Sequence, residues 1–494
     1  MSMTTNVLKP DDFRHYVDRF NADDVEDVVQ KIPNAGSWDW MKANVPLFEC
    51  PDKTIEEIYY YRWWTFRKHI KETPGGHVMT EFILPVKHAG IYNTVSCALC
   101  HHLAEGRWLR DQKWLDEWVT FWFRGNDGKP QPHFHKYSQW IAWAIVHRAR
   151  VTGDKGFAQS LLDDLVADYD KWREEKKLPN GLFWQYDVWD GMEESITGSR
   201  KHKNARPTIN SYMFGNACAI AELAYWASRE DIATRFRDEA LTLEALVQSH
   251  LWDESAQFFK AQKDEAGLSD AREAIGFVPW VFDLPDEGCE QAWKQLPDPE
   301  GFWAPFGITT AERRHPKFRS HGVGHCEWDG AVWPFATSQT LDGLANLLRH
   351  HNQPFVTNQH YLEAMQTYAK SHRMNSKPYI GEYLDEKTGE WLKGDNPRSR
   401  YYNHSTFCDL VISGLVGLQI GPINDQISVH SLLPPDAWDW FCLANIPARG
   451  RALTVIWDRN GTKYNRGAGL TLLADDRLVA HSTNLELITW SGRN

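Results

Sequence analysis

Between residues 54 and 418, apolar and polar positions alternate with a helical period, segment after segment. Thr54-Ile55-Glu56-Glu57 reads as a capping box opening a helix over 54–70. Further helices are predicted over 93–105, 114–124, 137–153, 157–175, 209–229, 232–252, 331–351, 361–372 and 407–418. In 209–229, Ile209, Tyr212, Met213, Ala217, Ile220, Leu223 and Ala224 share one face. After Gly421 the period shortens to two in segments rich in Thr, Val, Leu and Ile. Turn signals at Asn460-Gly461 and Asp475-Asp476 separate these segments. The expected organisation is an N-terminal extension (1–45), a domain of helical hairpins closing into an (α/α)6 toroid (46–420) and a small β-rich domain (421–494). Four long connections, 74–92, 180–206, 300–334 and 376–404, hold the unusual residues, and long loops gathered at one end of such a toroid make a site.

Composition narrows the function. The chain has 494 residues, 42% hydrophobic and 24% charged, which is the make-up of a globular protein. A net charge of −12 disfavours a nucleic-acid binder or a polybasic membrane anchor. No apolar run is long enough to span a bilayer, and residues 1–13 carry no leader pattern, so a cytoplasmic location is expected. Eight scattered cysteines fit free thiols rather than a disulfide framework. Cys97-Ala98-Leu99-Cys100-His101 spells a haem-attachment pattern, but it falls inside the predicted 93–105 helix and reads as packing. No second ligand pair follows it at zinc spacing. Neither a metal nor an organic cofactor is called for.

Tryptophan, with 25 residues, is the outlier, and its position beside acids is informative. The segment 181–200 holds Trp184, Tyr186, Asp187, Trp189, Asp190, Glu193 and Glu194, too acidic for a core and too aromatic for a solvated loop. Met192 precedes Glu193 and would help to desolvate it, raising its pKa as a general acid requires. A helix start whose acids complement the dipole would share this composition. A second acid centre, Glu382-Tyr383-Leu384-Asp385-Glu386-Lys387-Thr388-Gly389, follows Tyr379 and ends in a turn; an ordinary acidic surface loop would look similar. Between them, in Glu327-Trp328-Asp329-Gly330-Ala331-Val332-Trp333-Pro334, Trp328 and Trp333 can floor a sugar subsite, with Gly330 admitting a close ligand approach.

These motifs resemble those of the toroidal hydrolases related to trehalase and glycoside hydrolase family 63, including the mannosylglycerate hydrolase-like branch. Gly191-Met192-Glu193-Glu194-Ser195 precedes Asn210-Ser211-Tyr212 and the run Ile220-Ala221-Glu222-Leu223-Ala224. The late Glu382–Gly389 motif and the Trp328–Pro334 segment belong to the same family pattern. The stretch 457–480 is more loosely similar to the β-segment of family 142 β-L-arabinofuranosidases. Glu193 stands where the pattern has Asp, so Asp190 is kept as understudy.

The resemblance implies an inverting glycosidase, with Glu193 as general acid and Glu382 as general base, and the expected intracellular location suits a small closed pocket and an exo mode on short oligosaccharides or glycosides. Trp184, Trp328 and Trp333 would stack the sugar, and Glu81, Asp329 and Tyr402 would bind its hydroxyls. Two other readings stay open. One is a sugar epimerase or uronide lyase using His133, His135, His321 or His325 with tyrosine and with Arg398 or Arg400. The other is an inactive sugar-binding protein. Sugar identity, linkage and oligomeric state are not legible.

Overall fold

The computed structural model describes residues 7–264, 266–322, 324–422 and 426–492; the leader reading falls partly outside them. Two kinds of helix make the (α/α)6 toroid. In Lys53–Lys68, Pro207–Trp226 and Pro334–His350 most residues are buried, 16 of 20 in the second, so these helices are covered on nearly all sides and form the inner layer. Glu230–Leu251 buries 7 of 22 residues along one stripe and packs outside Pro207–Trp226. The single apolar face expected for 209–229 is therefore too narrow a description: Ser211, Asn210 and Thr208 are buried as well. The ring closes where Lys53–Lys68 meets Asn358–Ser371.

Local chemistry moves several boundaries. The cap of the first long helix is Asp52, whose carboxylate accepts from the Thr54 and Ile55 amides at 3.1 and 3.2 Å, in place of the expected Thr54–Glu57 box. The 157–175 segment splits into Lys155–Gln159 and Leu162–Lys176. The helix predicted over 93–105 begins only at Leu99. Cys97 thus precedes it, while Cys100 is buried inside it and accepts from the Trp140 amide. The 407–418 segment holds a π-helix, Leu410–Leu415, where Gly414 presses against the Tyr361 hydroxyl with no space for a β-carbon.

The C-terminal region is strand-rich. A five-stranded antiparallel sheet runs, edge to edge, Leu47–Glu49, Trp440–Ala448, Arg451–Asp458, Gly469–Ala474, Arg477–Ser482. Its first strand comes from the far end of the chain. Asp475 and Asp476 both take left-handed backbone angles (φ 49° and 64°), the conformation a tight two-residue hairpin needs. Among the described residues, no helix is long and apolar enough to cross a membrane.

Candidate active site

All four predicted long connections converge on one cavity of about 280 Å³. The first supplies Glu81, Phe82 and His88; the second Val188, Gly191 and Glu193; the third Cys326 and Trp333; the fourth Glu382, Arg398, Tyr402 and His404. Val95, Cys97, Lys136, Tyr137 and Phe335 complete the wall.

Within 181–200 the acids divide by partner. The Asp187 carboxylate accepts from the Val188 and Glu194 amides at 2.8 and 3.3 Å and so shapes the loop. Asp190 is fully buried, paired with Arg206 at 2.8 Å, and accepts from the Thr208 hydroxyl. Glu194 has left-handed backbone (φ 67°) and faces Arg200 at 3.5 Å. Glu193 alone of the four lines the cavity. Burial, then the nearby Glu382 and Asp187 charges, push its pKa up to about 7. A strained non-glycine residue directly beside it is the kind of backbone tension that surrounding contacts must sustain.

The second acid centre divides in the same way. Asp385 accepts from the Lys387 and Thr388 amides, both at 2.9 Å, fixing the turn. Glu386 is buried and paired with Arg319 at 2.7 Å. Glu382 lines the cavity, and one of its oxygens accepts from the Ser399 hydroxyl at 3.0 Å. Tyr383 next to it stacks on Trp333, centroids 4.6 Å apart, and donates to the His325 carbonyl.

Of the expected sugar-contacting residues, Glu81, Trp333 and Tyr402 reach the cavity and Trp184, Trp328 and Asp329 are not on its wall. Burial and the Glu382 and Glu193 charges raise the Glu81 carboxyl to about 8, against the hydrogen bond it receives from the Tyr402 hydroxyl. Trp184 is covered by Lys176, 4.0 Å above its ring. Trp328 backs Trp333 from below at 4.4 Å. Asp329 is buried and holds His321, accepting from its backbone amide at 3.0 Å. Gly330 makes its close approach to the Phe318 ring, 2.5 Å from where a β-carbon would stand, rather than to ligand space. His133, His135, His321 and His325 all lie off the cavity wall, His135 paired with Asp168 at 2.8 Å. Sequence reasoning missed His404, His88, Tyr137 and Cys97. Only membership of the long connection 376–404 pointed toward the first, and the helix expected to start at 93 hid the last. No cluster of His, Cys, Asp and Glu suited to a metal ion occurs among the described residues.

Residues 91–405 match the mannosylglycerate hydrolase MGH1-like glycoside hydrolase domain, and residues 422–481 match the glycosyl hydrolase family 65 C-terminal domain. A solved structure titled "Sialidase" is 49% identical over 99% of this chain, with a TM-score of 0.97; this chain spans 45% of that one's length. The glucose complex of the GH63 mannosylglycerate hydrolase from Thermus thermophilus shares the fold at 12% identity, covering 71% of this chain and 98% of its own, TM-score 0.52. A GH78 family rhamnosidase of Bacillus sp. GL1 does so at 13% identity, covering 87% and 41%, TM-score 0.58.

Proposed function

The chain belongs to the family of mannosylglycerate hydrolase MGH1-like glycoside hydrolase domains, and from that premise we propose an exo-acting, inverting glycosidase with Glu193 as general acid and Glu382 as general base. The observation that carries the assignment is the convergence of these two carboxyls on one cavity while the neighbouring acids are spent on holding the fold. A carboxyl raised to about 7 keeps much of its proton at neutral pH and delivers it to the departing glycosidic oxygen. Glu382, oriented by Ser399, takes a proton from water attacking the opposite face of the sugar. Inversion needs room for that water between the carboxyls, about 6.5–9.5 Å. Trp333, stacked against both Trp328 and Tyr383, gives the cavity a rigid aromatic wall. Glu81 and Tyr402 bind hydroxyls. A cavity of about 280 Å³ holds one sugar ring and little more, which supports removal of a terminal residue from short substrates. A cytoplasmic setting and the division into extension, catalytic and β-rich domains belong to the same proposal.

The test is turnover of a panel of 4-nitrophenyl glycosides and disaccharides by wild type, Glu193→Gln and Glu382→Gln, with NMR of the fresh product anomer. Both variants should lose about 10²–10⁴-fold in kcat, the product should be inverted, and wild-type kcat/KM should fall as pH rises through about 7, where Glu193 loses its proton. Full activity in either variant removes that residue from the mechanism, and a retained anomer removes the inverting scheme.

A further inference from the structure

Lys176 is a buried cation that has no carboxylate in ion-pair contact among the described residues. It ends the helix Leu162–Lys176, where a basic residue complements the helix dipole. The dipole accounts for a lysine in the last turn, but a lysine there ordinarily extends its ammonium into water. Here three aromatic rings enclose it: Nζ lies 4.0 Å from the Trp184 ring centre, 4.8 Å from Trp189 and 5.7 Å from Tyr186. The ammonium donates to the Gln185 Oε1 at 3.3 Å. The rings brace one another edge to face, Trp184 against Tyr186 at 4.9 Å and Tyr186 against Trp189 at 5.3 Å. Taking a charge out of water is costly unless something replaces the water, and the negative faces of the rings do so. Burial brings the ammonium pKa down to about 8, with Glu175 opposing the shift and Lys203 adding to it, so the cation persists at neutral pH.

All three rings belong to the connection that supplies Glu193. Helix end and loop are joined by backbone, the Trp184 amide donating to the Lys176 carbonyl at 3.0 Å. Beyond the cage the links run on to the acid. The Tyr186 carbonyl accepts from the Trp189 and Asp190 amides at 3.1 and 2.9 Å, so two cage residues close one turn. Asp187 sits inside that turn. Its carbonyl accepts from the Met192 amide at 2.9 Å and its carboxylate from the Glu194 amide at 3.3 Å. Both neighbours of Glu193 therefore hang on the residue that lies between two cage rings. Val188, Gly191 and Glu193 line the cavity, whereas Lys176 and its three rings are not on the wall. The cage holds the outer side of the loop whose inner side presents the acid.

We propose that Lys176 is a positioning residue for the Glu193 carboxyl: its ammonium pins Trp184, Tyr186 and Trp189, and through Asp187 it sets where the proton donor stands. This deepens the glycosidase reading and rests on Glu193 being its general acid. Lys176 does not reach the substrate, so its influence is confined to proton delivery. A leaving group that departs as a stable anion needs little protonation, whereas an alkoxide needs a proton in the transition state. A displaced acid therefore slows substrates of the second kind and spares the first.

The experiment compares the 2,4-dinitrophenyl and methyl glycosides of the sugar that wild type hydrolyses, using wild type, Lys176→Met, Lys176→Arg and Glu193→Gln, with a melting temperature for each. Glu193→Gln sets the scale, losing far more turnover on the methyl glycoside than on the dinitrophenyl one. Lys176→Met should show the same pattern at smaller amplitude: kcat about 10-fold lower on the methyl glycoside, within about twofold of wild type on the other, and KM unchanged. Lys176→Arg, which keeps a cation against the rings, should recover most of the loss. Should Lys176→Met not fold, Trp189→Leu takes its place, since it removes one half-buried wall of the cage and should give the same split. Equal loss on both leaving groups overturns the proposal, as does wild-type turnover on both. If Glu193→Gln itself shows no dependence on the leaving group, or wild type cleaves neither glycoside of any sugar, the acid assignment falls and takes the proposal with it. A clear split in Glu193→Gln beside none in Lys176→Met confines the failure to Lys176.

Discussion

The two acid-rich segments, 181–200 and 379–389, look interchangeable in composition, yet they hold their cavity-facing acids by opposite means. Glu193 sits in a loop shaped by carboxylate-to-amide bonds, beside a left-handed Glu194, outside its neighbours' ion pairs and with burial raising its pKa to about 7. Glu382 sits next to a stacked tyrosine and accepts a hydroxyl hydrogen bond from Ser399. A carboxyl stripped of water favours its proton, and the Ser399 hydroxyl fixes the direction in which Glu382 points. On the proposed scheme, the contrast teaches that acid and base are told apart by the surroundings each loop builds, not by the number of carboxylates it carries.

The largest effect is expected from Asp190→Asn. It leaves Arg206 buried without its carboxylate and should lower unfolding free energy by about 3–5 kcal/mol, whereas Glu193→Gln should leave stability intact. If denaturant titration shows Asp190→Asn as stable as wild type while its kcat collapses, the understudy has become the acid. Next comes pH. Glu81 is raised from 4.5 to about 8 and Glu193 to about 7, so the folded state binds these protons more tightly than the unfolded chain. Their stabilising contribution is fully present below about 4.5 and is lost as pH rises through about 7 and 8. Melting temperature should therefore decline from pH 5 to pH 9, and Glu81→Gln should flatten that decline; an unchanged slope contradicts the burial account. The smallest effect belongs to Ser399→Ala, which removes one hydrogen bond and should lower kcat/KM about five-fold. The pH position of the Glu193 limb should stay where it is.

Much of the architecture was legible because helical period and loop length are local properties. The four long connections named from sequence are the four that meet at the cavity. Glu193, Glu382 and Trp333, picked from segments that mix acids with aromatic rings, line it, as do Glu81 and Tyr402, named only as candidate hydroxyl partners. What was not legible depends on pairing across the chain. Trp184 and Trp328 have the right chemistry but are turned to a lysine and to another tryptophan. The cap at Asp52 outcompeted a plausible box because its carboxylate reaches two amides. His404 carried no motif. Its place on the wall is set by packing against Tyr402, Trp333 and Phe335, which only three dimensions reveal.

The strand Leu47–Glu49 ties the far sheet to the opening of the helical ring, pairing Phe48 with Leu443. Synthesis from the N-terminus therefore makes one rim of that sheet nearly four hundred residues before the strand it must meet. Until then the nascent rim waits, and a product truncated before Trp440 never receives its partner. A C-terminal fragment beginning at 421 would in turn expose the Trp440–Ala448 edge, an open ladder ready to recruit any other chain. Residues 47–49 and the Trp440–Ala448 strand thus complete one another, and an intact transplant of this sheet carries the short piece near residue 47 with it.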